Sequence, residues 1–187
     1  MCPKLLGDVK FFERLFAADQ REAERVRQGG CPHCGGPLHR AHYPRKVRGV
    51  AEGPCRLLER RLSLCCGRCR RRQTPASLRF LGPKVYAGAA VLVAAVLALQ
   101  QSLAEAMHCV SAAQRTVRRW RQWFRDLPTT SFWKRSAGLL RTQPAAERLP
   151  LSLLEGFDTV DDAERMLLGL RFLAPLSEPS RDQGVAF

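Results

Sequence analysis

Apolar residues recur at helical spacing near the start of the chain. Phe12, Leu15, Phe16, Ala23 and Val26 share one side of a segment that Asp8 can cap and Gly29-Gly30 can end, which predicts a helix to about Arg27. The pattern then shortens. Leu38 to Tyr43 and Leu57 to Cys66 read as strands, joined by Pro44 to Pro54, a basic loop punctuated by Gly and Pro. In the second strand Leu62, Leu64 and Cys66 fall on one face, and Arg61, Ser63 and Cys65 on the other. Val85 to Leu99 is a run of fifteen Val, Ala, Leu, Gly and Tyr residues closed by Gln100-Gln101. A membrane span needs about 20 such residues, so this run predicts a buried core helix.

The following segment returns to amphipathic spacing. Ser102 can cap a short helix from Leu103 to about His108, with Cys109-Val110 as the turn. Ser111-Ala112-Ala113-Gln114 has the form of a capping box, opening a helix to about Asp126. Ala113, Val117, Trp120 and Phe124 line its apolar side. Arg115, Arg118, Gln122 and Arg125 form the opposite stripe, flanked by Arg119 and Arg121. Three helices in succession, the last one apolar inside and Arg-rich outside, predict a helix-turn-helix with its recognition helix. Pro128 to Thr130 then starts a linker, with Trp133 packing back onto the helices. Leu151 to Phe157 predicts a short helix. Asp158 or Thr159 can cap a last helix to about Leu173, with Ala163, Met166, Leu167 and Leu170 inward and Asp161, Asp162 and Glu164 in its first turn. Those acids crowd one turn, unlike a metal-dependent nuclease cluster drawn from separate elements. Residues 177–187 read as frayed.

Charge adds a direction to this outline. The 187 residues carry a formal net charge of +14, and the excess is local. Residues 40–84 hold thirteen Arg/Lys against two Glu, and residues 111–135 hold seven against one Asp. From 145 onward four Arg face eight acids. A basic front before an acidic tail favours a polyanion partner. The first ten residues lack a basic segment followed by an apolar run, so a cytoplasmic, reducing location is expected, without membrane insertion.

The chemistry lies in the cysteines. Cys31-Pro32-His33-Cys34 and Cys66-Gly67-Arg68-Cys69 are two Cys-x-x-Cys turns separated by strand-like sequence. Two such turns can close a tetrahedral four-thiolate site, the usual geometry of structural zinc. Strand parity favours Cys66 as the ligand, and Cys65 paired with Cys69 is the alternative. His33, His39 and His42 are read as non-ligands, Cys109 as a small apolar residue, and Cys2 and Cys55 as incidental. Arg70, Arg71 and Arg72, on the turn after the second pair, suit phosphate contact.

Together these strings resemble the N-terminal region of bacterial insertion-sequence transposases. Cys31-Pro-His-Cys-Gly, then Cys66-Gly-Arg-Cys-Arg-Arg-Arg-Gln-Thr-Pro75, then Arg115-Thr-Val-Arg-Arg-Trp120, are similar to the zinc ribbon and helix-turn-helix of those proteins. The resemblance covers roughly residues 30–126 and implies DNA binding. Here Ala112 to Arg115 lengthen the lead-in to the recognition helix. About sixty residues follow Trp123, too few for the RNase H-like catalytic domain such transposases carry, so catalysis is not expected.

The expected architecture is mostly α with a small β zinc ribbon, an α+β chain with a helical helix-turn-helix module. Its parts are an N-terminal helix (1–30), the ribbon (31–80), the helical DNA-binding module (84–127), and a linker with an acidic helical tail (128–187). The expected function is a zinc-containing, non-enzymatic, transposase-related DNA-recognition or regulatory protein. Its partners would be double-stranded DNA and a separate transposase or recombinase. Zinc would bind Cys31, Cys34, Cys66 and Cys69. DNA would meet Arg70, Arg71, Arg72, Arg115, Arg118, Arg119, Gln122 and Arg125. An RNA-binding ribbon and a protein–protein adaptor remain alternatives.

Overall fold

Asp8 accepts a hydrogen bond from the Phe11 N–H at 3.2 Å and so opens α1, Val9–Gln28. Phe11, Phe12 and Leu15 of this helix enter the core. The structure, a computed structural model, describes residues 3–81 and 85–177; Cys2 and the stretch 178–187 lie outside them. After α1 come β1 (Leu38–Arg40), β2 (Tyr43–Pro44), α2 (Glu52–Leu58), β3 (Arg60–Arg61), β4 (Leu64–Cys66) and β5 (Arg72–Gln73). The helices α3 (Gly88–Gln100), α4 (Leu103–Val110), α5 (Gln114–Asp126), α6 (Ser131–Ser136), α7 (Leu151–Glu155) and α8 (Asp162–Leu173) follow. The chain is therefore mostly helical with a small antiparallel β component, as the α+β reading expects.

The strands form two sheets. β1, β4 and β5 are antiparallel in that spatial order, with Leu38 opposite Cys66 and Cys65 opposite Arg72. β2 pairs with β3 alone, Tyr43 opposite Arg61. Leu57 and Leu58 are not the start of a strand. They end α2, in which Pro54 stands in the first turn, where a missing N–H breaks no helical bond. The same Gly and Pro that mark this stretch as loop in the sequence are tolerated there. Within β4 the expected alternation holds, with Leu64 and Cys66 buried and Cys65 half-buried. Just before it, Arg61 and Ser63 are buried as well as Leu62.

The core centres on α3. Every residue from Gly88 to Leu97 is buried, which explains an apolar run without polar face. α4 and α5 pack on it, and α8 closes the remaining side, with Leu170 against Gly88. α5 inserts Val117, Trp120, Trp123 and Phe124; Trp123 joins the expected face, while Ala113 is the exposed N-cap residue. The expected capping box at Ser111 does not form. Ser111 has φ +48° and ends α4 as its left-handed C-cap, so its hydroxyl does not cap α5. One helix earlier Ser102 does cap α4, as expected: its Oγ accepts the Glu105 N–H at 3.1 Å and donates to the Glu105 carboxylate.

Beyond α5 the chain continues into packed structure. Thr130 caps α6 at 3.1 Å, and Phe132 and Trp133 of α6 lie edge-on to Phe172 of α8, at 5.5 and 5.8 Å between ring centres. α8 starts later than expected because Asp161, not Asp158 or Thr159, accepts from the Ala163 N–H at 3.0 Å. Met166, Leu167, Leu170 and Leu173 belong to the same apolar core as α1, α3 and α5.

A buried polar knot ties four distant segments. Asp19 of α1 accepts from the Leu78 N–H at 2.7 Å, from Arg79 Nε at 2.8 Å, and from the Ser77 hydroxyl. Arg79 also donates to the Leu57 carbonyl, and the Ser77 N–H donates to the Ser177 hydroxyl at 2.7 Å. Arg61 donates to the Pro75 carbonyl at 2.6 Å, and both Arg61 and Arg79 lie over the Phe80 ring. Burial pushes the pKa of Arg61 and Arg79 down, and Asp19 opposes that shift in each.

Candidate metal centre and basic surface

The two Cys-x-x-Cys turns are built alike. In the first, the Gly35 N–H donates to the Cys31 carbonyl at 2.8 Å and the Cys31 N–H to the Gly36 carbonyl at 2.9 Å. In the second, the Arg70 N–H donates to the Cys66 carbonyl at 3.1 Å and the Cys66 N–H to the Arg71 carbonyl at 3.0 Å. The residue after each second cysteine is left-handed. Gly35 has φ +66° and Arg70 φ +59°, so an arginine stands where the first turn uses glycine.

β1 and β4 bring the turns together through the Leu38–Cys66 pairing. The four sulfurs of Cys31, Cys34, Cys66 and Cys69 all lie within 4.8 Å of one another. Cys31 and Cys69 Sγ are 3.6 Å apart, and Cys34 and Cys66 Sγ 3.5 Å. A tetrahedral ion with metal–sulfur bonds of about 2.3 Å sets its sulfurs roughly 3.8 Å apart, so the cluster is close to that size. Four sulfurs so arranged could hold a metal ion.

Hydrogen bonds prepare the sulfurs unequally. The Cys69 and Arg68 N–H groups both donate to Cys66 Sγ at 3.4 Å, and they lower that thiol to about 6 against the resistance of burial. Cys69 is pushed up to about 12. The Arg71 N–H favours its thiolate, but burial and the sulfurs of Cys31, Cys34 and Cys66 outweigh it. Four thiols this close resist losing all their protons together, and a bound cation removes that resistance.

The neighbouring candidates fall away from the cluster. Cys65 Sγ donates to the Arg70 carbonyl at 3.5 Å on the other strand face. The Ser63 N–H donates to His42 Nδ1 at 3.1 Å, His39 lies against Gly67, and His33 pairs with Arg71 NH1 at 2.9 Å. Cys55 donates to the Ala51 carbonyl within α2, and Cys109 is half-buried, its thiol pushed up by desolvation.

The arginines divide by duty. Arg70 projects from the second turn and is exposed; Arg71 is exposed beside His33. Arg72 is held within the sheet, donating to the Ala41 carbonyl at 2.6 Å and to Ser63 Oγ at 2.9 Å over the Tyr43 ring. On α5, Arg115, Arg118, Arg119 and Arg125 are exposed, with no ion-pair partner among the described residues. Gln122 is exposed and its amide donates to Asp126 at 2.8 Å. Arg121 is half-buried at the edge of this face.

Sequence pattern assigns no individual role to the Arg45–Gly49 stretch, whose only signal is its density of positive charge between two turn residues. Nor does it single out the buried arginines, since Arg61 and Arg79 look like any other member of a basic run.

Comparison with protein families, with curated proteins and with solved structures finds no match. Among the described residues, no helix is long and apolar enough to cross a membrane.

Proposed function

We propose that the protein is a zinc-containing, non-enzymatic protein that binds double-stranded DNA, acting as the recognition part of an insertion-sequence-type system or as a regulator derived from one. The observation that carries this reading is α5. Its apolar side is fixed in the core by Val117, Trp120, Trp123 and Phe124, and its outer side presents Arg115, Arg118, Arg119, Gln122 and Arg125. A rigid helix with a projecting cationic face matches the width of a DNA major groove. Arg115, Arg118 and Arg119 would read guanine edges, and Gln122 would exchange Asp126 for an adenine edge. Arg70 and Arg71 would hold phosphates from the metal-stapled turn, while Arg72 keeps the sheet in shape.

Zinc would join Cys31, Cys34, Cys66 and Cys69. A four-thiolate site is a closed one, and the ion there supplies folding energy. Support for this comes from the sulfur spacing and from the small core beside it, which consists of Leu38 and Leu64 with the two buried cysteines.

Binding of duplex DNA and of structured RNA at matched salt tests the reading. The expected result is tighter binding of duplex DNA together with about one zinc per chain by native mass spectrometry. Tighter binding of RNA, or no preference, would reject DNA as the partner.

A further inference from the structure

Arg48 belongs to the loop between β2 and α2, yet its backbone is fastened to the segment that enters α3. Its N–H donates to the Val85 carbonyl at 2.8 Å, and its carbonyl accepts from the Ala87 N–H at 3.1 Å. The next residue, Gly49, has φ +83°, and a Cβ there would lie 2.7 Å from Ala90 Cβ and 3.0 Å from the Tyr86 ring. Only glycine lets the loop lie this close. Tyr86 in turn meets Trp120 of α5 edge-on at 4.8 Å, and its hydroxyl donates to the Ser111 carbonyl at 3.5 Å. Arg48 and Gly49 form one wall of an open groove with Cys109, Val110 and Ser111. The loop thus sits against the turn from which α5 starts.

Its charges are arranged for an outside partner. Lys46 and Arg48 are exposed and Val47 between them is half-buried, the alternation of an extended segment with one face outward. Neither cation has an ion-pair partner among the described residues. Arg45 has a different role, lying over the Phe80 ring at 5.2 Å.

We propose that this loop is a second DNA-contacting element, in which Lys46 and Arg48 grip the phosphate backbone beside the point where α5 enters the groove. The inference rests on the DNA-binding reading above and adds a surface from a different part of the chain. Cations on a backbone hydrogen-bonded to the helical core give phosphate contacts that set the register of the recognition helix and carry no base preference.

The test is the double variant Lys46→Gln, Arg48→Gln, which leaves the backbone bonds and the Tyr86–Trp120 contact in place. Unchanged zinc content and Trp fluorescence confirm an intact fold. Binding to a mixed-sequence DNA duplex is measured over a salt series, with phosphate-ethylation interference on the same duplex. The variant should bind every duplex more weakly, and its salt slope should fall by about one for each phosphate that it no longer neutralises. Interference at phosphates flanking the α5 site should disappear while base preference stays. Wild-type affinity and slope in this variant, with Arg118→Ala still impaired, would overturn the loop's role and leave the α5 reading standing. Absence of duplex binding by the wild type would overturn both.

Discussion

Arg70 is the residue at which fold and proposed function pull apart. Its left-handed backbone occupies the place that Gly35 fills in the first turn. A side chain there costs about 1 kcal/mol or more, which glycine avoids. Arg70→Gly should therefore match the wild type in zinc content and lose no stability, with a gain of up to about 1 kcal/mol in urea unfolding. The same variant should bind duplex DNA less tightly, because it removes an exposed cation. A large loss of stability would show that the Arg70 side chain holds the turn. Unchanged DNA affinity would remove it from the phosphate surface. The choice between Cys65 and Cys66 also belongs to this scale. Strand parity points to Cys66, and the Cys65 sulfur does turn to the Arg70 carbonyl. Parity is readable here because β4 runs between two partners, and a ladder keeps strict alternation of side chains.

Among the elements, helices with one apolar face are readable in advance, and those whose limits depend on backbone conformation are not. α1 and its Asp8 cap follow from the sequence, as does the all-round burial of α3. The start of α5 does not, because Ser111-x-x-Gln114 has the letters of a capping box while Ser111 closes α4 in a left-handed conformation. α2 is hidden because Gly53 and Pro54 resemble loop residues until their place in a first helical turn is known. The sheet element carries its own prediction. Its small core of Leu38, Leu64, Cys31 and Cys66 buries little apolar surface, so the metal would supply most of its stability. A chelator should raise hydrogen exchange across residues 31–75 and leave α3, α4 and α5 protected. Equal protection with and without the chelator would mean that the turns stand without metal.

At the scale of the whole molecule, one apolar core runs from Leu5 to Leu176, and the Asp19 knot joins α1 to Ser77, Leu78 and Arg79. That knot is not legible in the sequence. Asp19 looks like an ordinary helix acid, and its partners lie 58 to 60 residues further along. Asp19→Ala would leave Arg79 buried without its counter-charge, and thermal or urea unfolding should show a loss of about 3–5 kcal/mol. A loss below about 1 kcal/mol, the range of an exposed pair, would mean that the knot opens to water. The acidic C-terminal helices enter this same core through Leu153, Leu154, Met166, Leu167, Leu170 and Leu173. The central claim is that α5 reads duplex DNA, and the most direct measurement of it is the ratio of affinities for a selected and a random-sequence duplex. Wild type should prefer the selected duplex. The variant Arg118→Ala, Gln122→Ala should lose that preference, at a cost of roughly 1–3 kcal/mol for each bidentate base pairing removed, while still binding random duplex. An equal ratio in wild type and variant, or wild-type binding no tighter than that of a basic protein matched in charge, would contradict the account.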